Sequence, residues 1–178
     1  NGIDEPRYPA PRLRASIVDA LANFHEVFVI DELTSLFEIE EHTWIKHRIV
    51  RTLGIIGDLT IVDFLRNALL KTAYSDDFRW GLGNAIIEAL WRLQDTEFVP
   101  TLLEIFLDME LHGHLATYLT IAIGDLADKD IAIQIVNLLS DEEIDWQLRW
   151  LLTEALDQVQ SYDEISSQLS NLLTSRVD

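Results

Sequence analysis

The chain has no cysteine. That excludes a disulfide framework, thiolate chemistry and any zinc site built on Cys. It is also poor in basic residues, with 13 Lys and Arg against 31 Asp and Glu and a formal net charge of −18. Nucleic acid is held mainly by Lys and Arg that neutralise its phosphates, so this balance argues against a nucleic-acid partner. It argues equally against an anionic membrane surface and favours basic or neutral partners. Long apolar runs are missing. Stretches such as Val27 to Ile30 are far too short to span a bilayer, and no signal peptide is visible. A cytoplasmic protein without membrane contact is expected. Proline is scarce and unevenly placed. Three of the four are Pro6, Pro9 and Pro11, so residues 1–10 read as an extended lead-in. No Gly-rich phosphate loop is present, because Gly81-Leu82-Gly83 lies inside a helical stretch and lacks the preceding strand. A Gly-x-Ser-x-Gly elbow is absent as well. The chain opens on Asn1 and not Met, as a piece of a longer protein would.

What remains is a 178-residue chain with 48% hydrophobic residues, enough for one domain with a real core. From Pro11 onward the apolar residues recur with helical periodicity and show no strand alternation. Ten helices are expected, at 11–23, 26–39, 42–56, 59–72, 77–93, 96–109, 113–126, 129–140, 143–158 and 162–175. The loops are short, so sequence neighbours should be antiparallel and in contact. Asp58, Asp95 and Asp128 stand where an aspartate can cap the next helix. Ser140 with Glu143 and Ser161 with Glu164 fit the S-x-x-E capping box. Pro100 falls early in its helix, where proline is tolerated. The last segment is polar, as a terminal capping helix should be.

A phrase recurs along these helices. It reads Thr52-Leu53-Gly54-Ile55-Ile56-Gly57-Asp58, then Ala89-Leu90-Trp91-Arg92-Leu93-Gln94-Asp95. It returns around Ala122-Ile123-Gly124-Asp125 and Ala155-Leu156-Asp157. The anchors Thr52, Ala89, Ala122 and Ala155 are spaced by 37, 33 and 33 residues, a period that marks stacked-repeat architecture. A fainter copy, Ile17-Val18-Asp19-Ala20-Leu21, precedes them. The pattern resembles the HEAT-like repeat family, in particular the short repeats of phycobilisome-lyase-type proteins. The resemblance covers most of residues 15–175. The first copy departs from it, with Asn23, His25 and Glu26 in the usual Gly-Asp region. It implies an all-α fold over 11–178, an α-solenoid of about five antiparallel helix pairs in a right-handed superhelix, with one helix of each pair on the concave side.

The helices that carry the phrase (42–56, 77–93, 113–126 and 143–158) also carry all five tryptophans. On 143–158, Trp146, Trp150, Thr153 and Asp157 share a face apart from Leu148, Leu151, Leu152 and Ala155. The matching positions are Trp80, Asn84, Ile87 and Trp91 on 77–93, and Gly113, Thr117, Thr120 and Gly124 on 113–126. Helix 42–56 adds Trp44, Arg48 and Arg51. Together they predict a groove with indole walls and a floor of small residues. Trp44 and Trp91 fit seams between repeats as well, whereas Trp80, Trp146 and Trp150 fit the groove. Trp and Arg dominate binding hot spots, which makes the groove a candidate peptide site. Lys46, Arg48 and Arg51 make its first helix able to meet an acidic or mixed-charge segment. A solvated, salt-bridged helix face is the commoner origin of such a run.

Catalytic constellations are weak. His25-Glu26 is similar to the His-Glu pairs of deoxyhypusine hydroxylase, an iron enzyme on HEAT-like repeats. That enzyme needs several such pairs, and this chain has one. His112 and His114 beside Asp108 and Glu110 can be drawn as a metal site, but no further ligand is fixed by spacing. The expected function is therefore a non-enzymatic scaffold that binds a protein or peptide on its Trp-lined concave face, with neither cofactor nor metal. Two alternatives stand beside it. The resemblance implies a phycobilisome-lyase-type bilin-handling protein, with Arg48 or Arg51 meeting the propionates. The other is a structural repeat module that only positions attached domains.

Overall fold

A computed structural model describes residues 10–73, 81–108, 114–141, 143–159 and 163–175. They form ten α-helices: α1 (Pro11–Leu21), α2 (Val27–Ile39), α3 (Thr43–Ile56), α4 (Val62–Thr72), α5 (Gly83–Arg92), α6 (Val99–Asp108), α7 (His114–Leu126), α8 (Lys129–Leu139), α9 (Trp146–Gln158) and α10 (Asp163–Ser175). Among the described residues there is no strand, and no helix is long and apolar enough to cross a membrane. The lead-in at 1–9 and the start of the expected helix 77–93 lie outside the described residues.

Each expected helix has its counterpart, with differences at the starts. The segments 59–72 and 96–109 open as 3-10 turns, Leu59–Ile61 and Thr96–Phe98, before becoming α-helical. Both follow a residue in the left-handed region, Gly57 at φ 75° and Gln94 at φ 56°. Helix α3 ends on this glycine, whose N–H bonds back to the Leu53 carbonyl, a stop that satisfies an orphan carbonyl. Asp58 then accepts from the Thr60 backbone N–H at 2.8 Å and the Thr60 hydroxyl at 2.7 Å. These bonds lower the Asp58 pKa. Asp128 caps α8 by accepting from Ile131 N–H at 2.9 Å.

The capping box expected at Ser140 and Glu143 does not form. Ser140 closes α8 in helical backbone (φ −79°, ψ −16°), and its hydroxyl donates to the Val136 carbonyl at 3.2 Å. An N-cap needs extended backbone. Asp145 supplies it (ψ 144°) and accepts from Gln147 N–H at 2.8 Å, so α9 starts at Trp146. Ser161 of the second expected box lies outside the described residues.

The chain divides into two compact units, up to Leu93 and from Gln94. In the first, α3 lies between α1 and α5, α2 packs on α3, and α4 packs on α5. Ile45, Ile49, Val50 and Leu53 of the central helix are fully buried. The anchor Thr52 donates its hydroxyl to the Val18 carbonyl of α1 at 3.2 Å. Toward α5 the contact is closer still: a Cβ on Gly54 would sit 2.9 Å from the Ala89 Cβ and 3.0 Å from its Cα. Phe37 of α2 and Phe64 of α4 meet edge to face, centroids 5.2 Å apart, a favoured aromatic geometry. The turn from α2 to α3 is held by Glu40, whose side chain is 3% exposed. It accepts from Arg14 Nε at 3.0 Å and Nη2 at 3.2 Å, from the backbone N–H groups of Glu41 and His42, and from His42 Nδ1 at 2.9 Å. Burial alone would raise this carboxyl. The hydrogen bonds from Arg14 and His42 and the Arg14 charge overcome it and hold the pKa at about 2.

In the second unit, α7 and α9 pack together, α6 lies on α7, α8 on α9 and α10 on α8. The glycine contact repeats in the same register. A Cβ on Gly124 would lie 2.7 Å from the Ala155 carbonyl oxygen. Gly54 and Gly124 both stand two residues past an anchor, and each faces the anchor alanine of the next copy. In the other two copies that place is Trp91 and Asp157. Ala132, Val136 and Ile165 form a small core under the α8–α10 pair, with Leu156 and Leu169 packed against it.

Candidate functional site

Helix α9 has one side committed to packing. Leu152 and Ala155 are buried, and Leu148, Leu151 and Leu156 are half-buried. The opposite side carries Trp146, 70% exposed, and Trp150, 57% exposed, with exposed Thr153, Glu154 and Asp157. An indole buries more apolar area than almost any side chain when it is covered. Two of them one helical turn apart and open to water form a feature that the packing of the unit does not use. Singly scattered apolar residues need no such explanation.

Two open hollows flank this ridge. Between α9 and α10 lies one of about 390 Å³, lined by Trp150, Thr153, Glu154, Leu156, Asp157 and Leu169. Between α7 and α9 lies one of about 280 Å³, lined by Thr117, Thr120, Ile121, Glu154, Asp157 and Gln158. Glu154 and Asp157 border both. Thr153 spends its hydroxyl on the Arg149 carbonyl at 2.9 Å. Arg149, the only basic residue of α9, turns away from these acids. It donates to the carbonyls of Leu139 at 2.9 Å, Asp141 at 2.8 Å and Ile144 at 3.3 Å, and so fastens the loop before α9. Among the described residues no ion pair reaches Glu154 or Asp157.

The remaining expected groove residues divide into several kinds. Thr117 is exposed beside Glu154 and Asp157. Thr120 is 3% exposed, and its hydroxyl donates to the Ala116 carbonyl at 2.8 Å. Ile87 is fully buried. Both were expected on the groove surface and neither offers a side chain there, because a helix flanked by neighbours on several sides buries a wider arc than one apolar stripe. Trp91 and Asn84 are half-buried. Among the described residues the Asn84 Oδ1 has no hydrogen-bond partner. Trp80 and Gly113 lie outside the described residues.

Trp44, 43% exposed, sits in the first turn of α3, with Arg48 and Arg51 further along the helix, all in the first unit. Arg48 pairs with Asp19 of α1, which diminishes its availability to an acidic ligand. Arg51 is exposed. His47 beside them has a lowered pKa, first because burial disfavours the imidazolium, then because Arg51 and Arg48 repel it, with Glu88 opposing. His25 places Nδ1 3.3 Å from the Ile56 carbonyl oxygen. His112 lies outside the described residues, and among those described no group of three or more His, Asp or Glu can hold a metal ion.

The structure thus brings Trp146, Trp150 and Thr153 together on one ridge and adds two residues the tryptophan pattern did not single out, Glu154 and Leu169. Glu154 carries a legible signal, four residues after Trp150. Leu169 comes from α10 and has none. No family model matches the sequence, and no curated protein matches it.

Proposed function

We propose that the chain is a HEAT-like repeat protein of the α-solenoid class, which binds a protein or peptide through the indole face of α9 and performs no catalysis. The fold reading is supported by the 33–37-residue beat of the phrase and by the glycine-to-alanine contact that joins successive copies within each unit. The functional reading is carried by one observation: Trp146 and Trp150 stand exposed side by side on a helix whose packed face is the opposite one, marked by buried Leu152 and Ala155. Aromatic anchors of this kind, covered by a partner, supply most of the energy at binding hot spots.

The test replaces Trp146 and Trp150 by Ala. Both side chains are mostly exposed, so stability should change by no more than about 0.5 kcal/mol each. Partners captured by the intact chain from lysate, then reassembled from purified components, should bind the double variant at least tenfold more weakly, a difference of about 1.4 kcal/mol. Equal affinity with a well-folded variant would remove the proposal. Titration with a linear tetrapyrrole, followed by tryptophan fluorescence, separates the bilin-handling alternative, which requires a saturable change.

A further inference from the structure

The indole ridge stands in a strongly one-signed field. Residues 94–178 hold 17 Asp and Glu against three basic residues, Lys129, Arg149 and Arg176. Arg149, on the ridge helix itself, gives its guanidinium to three backbone carbonyls. Glu154 and Asp157 border both hollows beside Trp150 and meet no ion-pair partner among the described residues. A cation that settles on an indole face is attracted by the ring quadrupole, and here Trp150 has Glu154 one turn and Asp157 two turns further along the same helix. Acidic and neutral segments gain nothing from those carboxylates.

Resting on the peptide-binding reading above, we propose that the α9 ridge takes an extended cationic segment with Lys or Arg at alternate positions. Trp146 and Trp150 stack the cationic side chains, and Glu154 and Asp157 neutralise them. The spacing fits. Four residues of α-helix rise about 6 Å, and side chains two apart on an extended chain project to one face about 6.6–7 Å apart. From Trp146 to Asp157 the ridge runs about 16 Å, the length of about five extended residues. Lys129, at the start of α8, borders neither hollow.

The experiment titrates the full chain with three synthetic eight-residue peptides, alternating Arg-Gly, alternating Glu-Gly and alternating Ser-Gly, by calorimetry and tryptophan fluorescence. Saturable binding of the Arg-Gly peptide alone is expected, weakened about tenfold between 50 and 500 mM salt as exposed charges are screened. Trp146→Ala with Trp150→Ala should reduce that affinity at least tenfold. Glu154→Gln with Asp157→Asn should reduce it several-fold and flatten its salt dependence. Glu104→Gln with Asp108→Asn removes the same charge from α6 of the same unit and should leave it unchanged. If the α6 pair weakens binding as much as the α9 pair, the attraction is general and the proposal fails. If a Ser-Gly or Glu-Gly peptide binds through the tryptophans, the cationic class is overturned while the docking surface stands. If the tryptophan variant binds every peptide and every captured partner like the parent chain, both readings fall together.

Discussion

Replacing Glu40 by Gln should cost stability in a way that depends on pH. The carboxylate accepts from Arg14 Nε and Nη2, two backbone N–H groups and the His42 ring, and its pKa falls from 4.5 to about 2. A carboxyl whose folded pKa is depressed contributes stability that is complete above the unfolded value and is lost as pH falls through the folded one. At 1.36 kcal/mol per pKa unit the contribution is about 3 kcal/mol near neutral pH, about 1 kcal/mol at pH 3 and close to nothing below pH 2. Gln keeps the shape and one acceptor but not the charge, so Arg14 is left facing a neutral amide. The assay is urea unfolding of the parent chain and the variant at intervals from pH 7 to pH 2. The other acidic residues titrate in both proteins, and the difference between them isolates Glu40. A gap of about 3 kcal/mol at pH 6–7 that closes between pH 4.5 and pH 2 is expected. A gap that stays constant across the range would refute the reasoning, since the loss would then come from packing and not from a paired charge. Arg14→Met should open a gap of similar size, and adding Glu40→Gln to it should cost little more, because the two substitutions remove one interaction.

Three further outcomes follow from the geometry. His47 should titrate below 6.5 by NMR, because burial and the neighbouring arginines disfavour its charged form. The unfolded chain then binds the proton first, so this histidine removes stability as pH falls below 6.5, and Arg51→Gln should move its titration back toward 6.5. Gly54→Ala forces a methyl to 2.9 Å from the Ala89 Cβ; overpacking costs about 1–3 kcal/mol against a gain of about 1 kcal/mol in helix propensity, so a lower melting temperature is expected and a higher one would show that α3 and α5 part easily. Gln94 holds φ 56° where Gly57 occupies the same place in the preceding copy, so Gln94→Gly should stabilise by roughly 1 kcal/mol, read by chemical denaturation; a destabilised variant would mean that the Gln94 side-chain contacts outweigh the backbone strain.

Helix positions were legible in the sequence because the period of the apolar residues is a local property and the loops are short. What escaped was set by residues far apart in the chain. Glu40 lies in the run Glu38-Ile39-Glu40-Glu41 and looks like one more solvated acid. Only Arg14, 26 residues upstream, makes it a buried one. Gln94 hides a left-handed backbone that Gly57 advertises. Ser140 satisfied a capping pattern on paper while its own helix had not yet ended. At the candidate site, the exposed face of α9 was correctly phased because its packed side is marked by Leu152 and Ala155. Spacing alone puts Ile87 and Thr120 on the same surface, and neighbouring helices cover both.

The two glycine contacts also set what the α3–α5 and α7–α9 pairs cannot do. Sliding α5 along α3 by one turn, about 5.4 Å, would carry Ala89 from Gly54 onto Val50, and the same slip of α9 along α7 would carry Ala155 from Gly124 onto Thr120. Neither larger side chain leaves room for it. A one-turn ratchet in that direction is therefore barred at both seams, so α3 with α5 and α7 with α9 are each keyed in one register.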